Sequence, residues 1–195
     1  MNKIELLAHA LQTFSGMDQE AFDLSVPFWQ ERSYDKGEFY NEYKNVCRHL
    51  GFVIDGVFRT YYIHSDTGEE KNAFFFSKNQ IIVSYKSFIN QAPCNYYTAS
   101  LTNSTILYIG YDQLMQLYTQ SHQWERFGRF VAESAFNTSM GRAEDFMFRT
   151  PEQRYQDMVE MHPDIFNNVP LYHIASYLGI QGPSLSRIRK RMAQR

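Results

Sequence analysis

The sequence LYHIASYLGIQGPSLSRIRKR, residues 171–191, decides the fold of the C-terminal part of the chain. Four apolar residues in its first half recur at the spacing of one buried helical stripe: Leu171, Ile174, Ala175 and Leu178. Gly179 follows at once, and glycine adopts the left-handed conformation that ends a helix at little cost. Pro170 suits the first helical position, which has no use for its missing N–H. We therefore predict a helix that begins near Pro170 and ends at Gly179.

A second helix can begin three residues after Gly179, with Gly182 as its cap and Pro183 in its first turn. Its apolar stripe consists of Leu185, Ile188 and Met192. At about 100° per residue, the opposite face carries hydroxyl groups and cations. The residues on or beside that face are Pro183, Ser184, Ser186, Arg187, Lys190 and Arg191. We expect this helix to pack by one face and to expose the cationic one.

Together the two helices match a helix-turn-helix motif, in which a small alanine lets the axes approach and the Gly-Ile turn sets their crossing angle. Cations on the exposed face can neutralise phosphates, and an arginine fork can reach the acceptor edge of guanine in the major groove. The predicted DNA-binding residues are Ser184, Ser186, Arg187, Lys190 and Arg191. His173, on the first helix, is expected at the surface or beside a phosphate. A basic helix pair that merely packs on the protein would explain the cations but not the Ala, Gly and Ile spacing.

The charge distribution also indicates the C-terminus as the place where a polyanion would bind. The whole chain has 19 basic and 21 acidic residues. Residues 182–195 hold five of the basic residues and no acidic one, which leaves 14 against 21, a formal charge of −7, for the rest. The overall balance therefore says little about nucleic acid, whereas the asymmetry favours binding at this end.

The composition bounds the class of protein. The chain has 195 residues, 44% of them hydrophobic, which supports one medium domain plus a small one. We expect no transmembrane helix, because no run of about 18 apolar residues occurs. The N-terminus lacks the apolar core of a signal peptide, so we expect a cytoplasmic protein with no membrane partner. Cys47 and Cys94 are too few for a disulfide framework or for an iron–sulfur cluster.

The region from Phe28 to about residue 109 carries the pattern of an antiparallel β domain. Short runs of Val, Ile, Tyr and Phe alternate with Gly, Asn and Asp turns. The clearest predicted hairpin joins residues 52–54 to 57–63 through Asp55-Gly56, the signature of a type I′ turn. Further strands are predicted at 71–77, 80–84, 95–101 and 104–109, which gives about eight strands at the spacing of sandwiches and rolls. A helix over 3–14 and a further turn or helix over about 18–24 precede them.

A long helical pattern runs from about Gln123 to Arg149. Residues on one of its faces have the alternating four- and three-residue spacing of a seam that pairs with a two-fold mate: Trp124, Phe127, Val131, Ser134, Thr138 and Gly141. The alternative is that this helix packs only on its own β domain. Thr150, a good cap before Pro151, begins another helix that ends near Met161.

These elements predict an α+β fold with three parts. Residues 1–111 form an effector domain, an antiparallel β-roll of the jelly-roll type with N-terminal helices. Residues 112–149 form a hinge and dimerisation helix, and residues 150–195 form the helix-turn-helix domain.

This order of roll, long helix and helix-turn-helix resembles the Crp/Fnr transcription regulators, in particular their compact bacteroidete-type members. The segments that carry the likeness are Gly51–Arg59, Arg126–Arg129 with Glu133, Thr150–Tyr155, Ile174–Ile180 and Leu185–Lys190. The resemblance implies a homodimer that binds a palindromic operator on double-stranded DNA and contacts RNA polymerase. It also implies a cyclic-nucleotide-binding-like roll, whose effector reorients the DNA-binding domains.

The effector stretch departs from that of members that bind cyclic AMP. Those members carry a Gly-Glu pair and, some ten residues on, an arginine followed by a small hydroxyl residue that holds the phosphate. Here no arginine lies between Lys71 and Arg126 and no glutamate between Glu70 and Glu125. Losing a charge-assisted hydrogen bond to a buried phosphate costs about 1.5–3 kcal/mol. We predict no cofactor and weak or no cyclic-nucleotide binding, with any other effector held by Ser84, Tyr85, Asn95, Tyr96 and Tyr97.

The recognition helix also departs from the family pattern. Base-reading positions that often hold Arg and Glu correspond to Gly182 and Pro183 here, while Arg187 matches the third reader. We therefore expect a different operator, read by Arg187 with help from Ser184 and Ser186, while Lys190 and Arg191 contact phosphates.

No catalytic or metal-binding motif accompanies these features. The six histidines are scattered, with no pair at the spacing of metal ligands. A nucleophile elbow, a Walker phosphate loop and a Cys-x-x-Cys pair are absent. We predict that the protein is not an enzyme and holds no metal. Three other functions stay open: a cyclic-nucleotide-responsive regulator, a sensor or interaction module whose DNA binding has decayed, and a constitutive dimer without an effector.

Overall fold

The computed structural model describes residues 2–161 and 163–192. Two short helices come first, α1 (Lys3–Ser15) and α2 (Gln19–Asp23). Asn2 and Glu5 form a reciprocal capping box at the start of α1, which satisfies two backbone N–H groups that have no partner within the helix. α1 was predicted from the helical spacing of its apolar residues, whereas residues 18–24 were predicted as a turn or a helix. No helix among the described residues is long and apolar enough to cross a membrane.

Two four-stranded antiparallel sheets form the body of the protein. The strands are β1 (Gln30–Tyr34), β2 (Phe39–Asn41), β3 (His49–Asp55), β4 (Phe58–Ile63), β5 (Glu70–Phe76), β6 (Ile81–Ile82), β7 (Tyr97–Ser100) and β8 (Ser104–Gly110). One sheet has the order β1-β8-β3-β6 and the other β2-β7-β4-β5. A short helix, α3 (Tyr85–Asn90), lies between β6 and β7. The α+β fold class with an antiparallel roll is thereby confirmed.

The roll has one continuous core, into which side chains point from both sheets and from the helices packed against them. Its largest fully buried members include Tyr34, Phe52, Phe58 and Ile106.

The predicted hairpin around Asp55-Gly56 was wrong in its pairing, although both strands exist. β3 pairs with β6 and β8, whereas β4 pairs with β5 and β7, so the Asp-Gly turn joins the two sheets. A side chain on Gly56, whose φ is +95°, would meet Ser104 Oγ at 2.0 Å. Glycine is therefore required by close approach of the backbone to β8, and not by a two-residue hairpin.

Two helices follow the roll, α4 (Tyr111–Gln120) and α5 (His122–Phe148). The first half of α5 lies on the roll and contributes to its core. Trp124 and Phe127 are fully buried, and Trp124 Nε1 donates to the Ala21 carbonyl at 2.8 Å. The assignment of Trp124, Phe127 and Val131 to a dimer seam was therefore wrong, because these side chains are covered by their own subunit. The alternative, packing on the helix's own β domain, holds for this half.

The C-terminal helices are α6 (Pro151–Met161), α7 (Pro163–Asn168), α8 (Leu171–Leu178) and α9 (Gly182–Met192). A second apolar cluster joins them and includes Tyr155, Ile165, Ile174 and Leu185. α8 and α9 have the predicted bounds. α7 was not predicted, since it is only six residues long. Phe75, Leu101 and Val57 from the roll extend this cluster, so the C-terminal helices pack on the sheet of β4 and β5.

Candidate nucleic-acid interface

The turn between α8 and α9 has the geometry that the sequence predicts. Gly179 adopts φ +69°, and the N–H of Ile180 donates to the Ala175 carbonyl at 3.0 Å. A Cβ on Gly179 would also meet the Phe146 ring at 2.5 Å. Glycine thus serves both the left-handed backbone and the packing against α5.

Sequence reasoning gave no part to Arg154, a buried residue that holds the motif in place. Its Nη2 donates to the Leu178 carbonyl at 2.9 Å, and its Nη1 to the Arg149 carbonyl at 2.7 Å. These carbonyls end α8 and α5, where helix termini leave acceptors without partners. The signal that could have indicated this role is an arginine one turn into α6, close behind the end of α5. A cation at that place can contact the carbonyl groups of a helix C-terminus and stabilise it.

The predicted DNA-binding residues share one exposed side of α9. Leu185 and Ile188 are buried against the C-terminal core. Opposite them lie exposed Ser186, Arg187 and Lys190, with Ser184 half-buried and Arg191 exposed at the edge. The helix therefore presents cations and hydroxyl groups to solvent, the arrangement predicted from the spacing.

Two cations on this face make contacts within the chain. Arg187 Nη2 donates to Ser184 Oγ at 3.2 Å, and its Nε donates to the Pro183 carbonyl at 3.4 Å. The guanidinium therefore lies along the first turn of α9 and keeps further N–H donors free. Arg191 pairs with Glu152 of α6. An exposed pair of this kind is worth about 0–1 kcal/mol, so it gives little resistance to exchange for another anion.

The five residues predicted to line an effector pocket are not brought together. Ser84 lies near Thr98 inside the roll, with 3.5 Å between their hydroxyl oxygens, and Tyr85 packs on the core. Tyr97, the neighbour of Thr98, points to the opposite face and stacks on Tyr61 at 5.2 Å between ring centroids. Asn95 and Tyr96 are exposed. The predicted pocket is therefore wrong as one site, because residues 97 and 98 alternate across the sheet.

The second half of α5 carries an apolar stripe that the sequence analysis missed. Phe136 is 66% and Met147 72% exposed, and Met140 between them is also exposed. They repeat at four- and seven-residue spacing, as do seam residues in paired helices. Ser134 and Thr138, the other predicted seam residues, are exposed on the opposite side. The sequence had suggested the side of Ser134 and Thr138 as the seam, because these residues continue the four- and three-residue spacing of Trp124 and Phe127.

His173 is buried and not, as expected, at the surface or beside a phosphate. It lies where α8 meets the roll, in contact with Arg59 of β4 and Asn72 of β5. Burial and the neighbouring Arg59 guanidinium lower the pKa of His173 to about 4. No group of three His, Cys, Asp or Glu among the described residues is placed to hold a metal ion.

No protein-family model and no curated protein sequence matches this chain. Solved structures do match it over most of its length. FixK2 from Bradyrhizobium japonicum superposes with a TM-score of 0.71 at 14% identity, over 85% of each chain. A protein described as a regulator of the Crp/Fnr family, from Eubacterium rectale, gives 0.71 at 14% identity over 95% of this chain and 88% of that one.

A third match agrees with these two. The catabolite activator protein from Thermus thermophilus gives a TM-score of 0.60 at 14% identity, over 95% of this chain and 87% of that one. The three alignments span between 85% and 95% of this chain. The chain therefore has the Crp/Fnr-type regulator fold.

Proposed function

We propose that this protein is a sequence-specific DNA-binding transcription regulator that binds a palindromic operator as a homodimer. The observation that carries the proposal is the open cationic face of α9, at the position where a helix-turn-helix presents its recognition helix. Among the described residues, neither Arg187 nor Lys190 forms an ion pair within 4 Å. The fold of the solved regulators supports the same function, and contact with RNA polymerase stays a prediction.

Within this proposal, Arg187 reads base edges and Lys190 binds phosphate. Ser184 orients the Arg187 guanidinium at 3.2 Å, and the remaining N–H groups can face guanine O6 and N7. Lys190 is a compact exposed charge, suited to a phosphate oxygen. Ser186 adds a hydroxyl group beside Arg187, and Arg191 exchanges Glu152 for phosphate.

Arg187→Ala and Lys190→Ala are expected to weaken DNA binding in different ways. Arg187→Ala loses about 1–3 kcal/mol of discrimination at one base pair. Lys190→Ala weakens binding to all sequences alike, and it lowers the slope of log affinity against log salt concentration by about one. Selection from a random duplex pool identifies the preferred site, and fluorescence anisotropy at several salt concentrations measures both effects. An unchanged preferred site in Arg187→Ala would contradict the base-reading role. Absence of salt-sensitive duplex binding by the native chain would instead favour an interaction module.

The homodimer is proposed to form through the exposed stripe of α5. Large apolar side chains at Phe136, Met140 and Met147 leave a surface that a monomer rarely exposes in a continuous row. Ala143 fills the gap in the stripe and lets two helices approach closely. A two-fold axis along this stripe would bring the stripe of each copy onto that of the other, as symmetric interfaces require.

The roll is proposed to have lost the phosphate clamp for cyclic nucleotides, and to respond to another effector or to none. Thr60, Thr98 and Ser84 supply only hydroxyl groups to its interior near α3. The lysines closest in sequence, Lys78 and Lys86, have exposed side chains. A phosphate buried there would therefore have no cation as its partner. Transferring an unpaired anion from water into the protein interior is unfavourable.

Calorimetric titration with cyclic AMP and with cyclic GMP should show binding at least about tenfold weaker than that of a site with an arginine clamp, or none. Val83→Arg and Ser84→Arg are matched attempts to restore a cation near α3. Micromolar affinity of the native chain for either nucleotide would contradict the loss of the clamp.

A further inference from the structure

α8 closes the exposed edge of the second sheet. β5 is the last strand in that sheet, so one row of its backbone groups has no strand partner. Ser176 of α8 takes that place, because its Oγ donates to the Glu70 carbonyl at 3.0 Å and accepts from the Asn72 N–H at 3.0 Å. Phe75 and Tyr177 pack beside this pair, with ring centroids 5.2 Å apart. The helix-turn-helix is thus docked on the roll through specific contacts.

A buried polar cluster lies at the centre of this contact. It comprises Arg59, Asn72 and His173, each less than one-tenth exposed. Arg59 Nη1 lies 3.2 Å from His173 Nδ1, and Asn72 Nδ2 also lies 3.2 Å from it. The Asn72 amide has one orientation only, since its Nδ2 donates to the His173 carbonyl while its Oδ1 accepts from Arg59. Both groups that face Nδ1 are therefore donors, and Nδ1 must be the acceptor of a neutral imidazole.

Protonation of His173 would break this arrangement. A proton on Nδ1 would meet two N–H donors, and the ring would carry positive charge 3.2 Å from a guanidinium. The other charged group that faces the cluster is Glu70 of β5, whose partly exposed carboxylate pairs with Arg59 at 2.5 Å. Glu70 attracts an imidazolium, yet burial and Arg59 outweigh it in lowering the pKa of His173. The Tyr172 ring lies beside the His173 imidazole on α8, tilted by 45° with 4.0 Å between the ring centroids.

We propose that this contact is a pH-sensitive latch: the helix-turn-helix stays docked on the sheet edge while His173 is neutral, and it is released when His173 becomes protonated. The latch concerns the contact between two parts of one chain and does not depend on DNA binding.

The direction of the effect follows from proton linkage. A released, solvated His173 has an ordinary pKa of 6.5, whereas docking lowers the pKa to about 4. Docking is therefore strongest above pH 6.5 and weakens as the pH falls from 6.5 towards 4. At about pH 5.5 the docking equilibrium should be reduced by roughly tenfold, and at about pH 7.5 it should be almost unaffected.

Hydrogen exchange compared at equal pH isolates this effect, because differences in intrinsic exchange rate then cancel. His173→Asn places an amide oxygen near the position of Nδ1 that accepts the same hydrogen bonds but does not titrate. At about pH 5.5 we expect amides of β5 and α8, including Asn72 N–H, to exchange roughly tenfold faster in the native chain than in His173→Asn. At about pH 7.5 the two should exchange alike. His122→Asn is the matched control, since the His122 side chain is 96% exposed.

Three outcomes decide the proposal. Faster exchange confined to β5 and α8, with β3 and β8 still protected, supports a latch, whereas equal exchange of the native chain and His173→Asn at both pH values overturns it. If His173→Asn itself loses protection at neutral pH, NMR titration of the His173 ring in the native chain replaces the comparison. A midpoint near 6.5 would then overturn the latch, and a midpoint well below it, accompanied by shifts at Asn72, would support it.

Discussion

Replacing Phe136 and Met140 together by glutamate is expected to convert the protein from a dimer to a monomer. Both side chains lie on the exposed stripe of α5, with Phe136 66% exposed in the single chain. In the proposed dimer each would be covered by the other copy, so the double substitution buries four carboxylates near the two-fold axis. Truncating a hot-spot residue at the centre of an interface costs about 2 kcal/mol or more, and burying an unpaired charge adds to this. We expect the dimer dissociation constant to rise by about a hundredfold or more.

Sedimentation velocity over a concentration series measures this change directly. The matched control is Ser134→Glu with Thr138→Glu, which places the same two charges on the opposite side of the same helix. Phe136 follows Phe127 by nine positions, and at about 100° per residue this places the two side chains on opposite sides of α5. A control that dissociates while the Phe136 and Met140 variant stays dimeric would contradict the proposed seam, and would support the one that the sequence predicted.

Dissociation should also lower affinity for an operator with two half-sites. Each monomer keeps its α9 face, so binding to a single half-site should change little. In the dimer, binding of the second α9 face is intramolecular once the first is bound. Losing the dimer should therefore lower the affinity for the full operator by roughly a hundredfold or more. Anisotropy with a full operator and with a half-site separates a broken dimer from a damaged recognition helix.

The helix-turn-helix could be predicted because its signals are local. The spacing of Ile174, Ala175 and Leu178 fixes one face of α8, and Gly179 fixes where α8 ends. All the atoms that decide this geometry lie within a few turns of each other. The same holds for the exposed cations of α9, whose positions follow from the period of a single helix.

The predictions that were wrong concern the surroundings of an element. The elements themselves were predicted correctly, but not the surface that each one faces. Asp55-Gly56 marks a turn, but nothing nearby in sequence indicates that β3 and β4 join different sheets. α5 carries two apolar stripes with equivalent spacing, and only the fold shows that Trp124 faces the roll. Burial of His173 depends on Arg59, which lies 114 residues away in the chain. Long-range packing therefore overrode patterns that each predicted the local structure well.

Trp124→Ala is expected to destabilise the subunit itself. Trp124 is fully buried, packs edge-on against Phe127 at 5.3 Å, and donates its indole N–H to the Ala21 carbonyl. Replacing a buried tryptophan by alanine leaves a cavity and typically costs about 3–5 kcal/mol. For a chain of this length each kcal/mol lowers the melting temperature by about 2–4 °C. Urea and thermal unfolding of the monomeric Phe136 and Met140 variant measure the loss without a contribution from dimer dissociation.

Trp124→Phe separates the two parts of this effect. Phenylalanine keeps most of the ring volume but leaves the Ala21 carbonyl without its buried donor, which costs about 1–3 kcal/mol. We therefore expect an intermediate midpoint for Trp124→Phe, because the remaining loss in Trp124→Ala comes from the cavity. Both variants lose the indole contact with Ala21, which leaves the N-terminal helices held in this region by the neighbouring Gln123, whose Oε1 accepts from the Asp18 N–H at 2.9 Å. The N-terminal helices should therefore loosen first in both variants. If Trp124→Ala leaves the unfolding midpoint of the monomeric variant unchanged, but prevents dimerisation when introduced into the native chain, the side chain would instead lie between subunits.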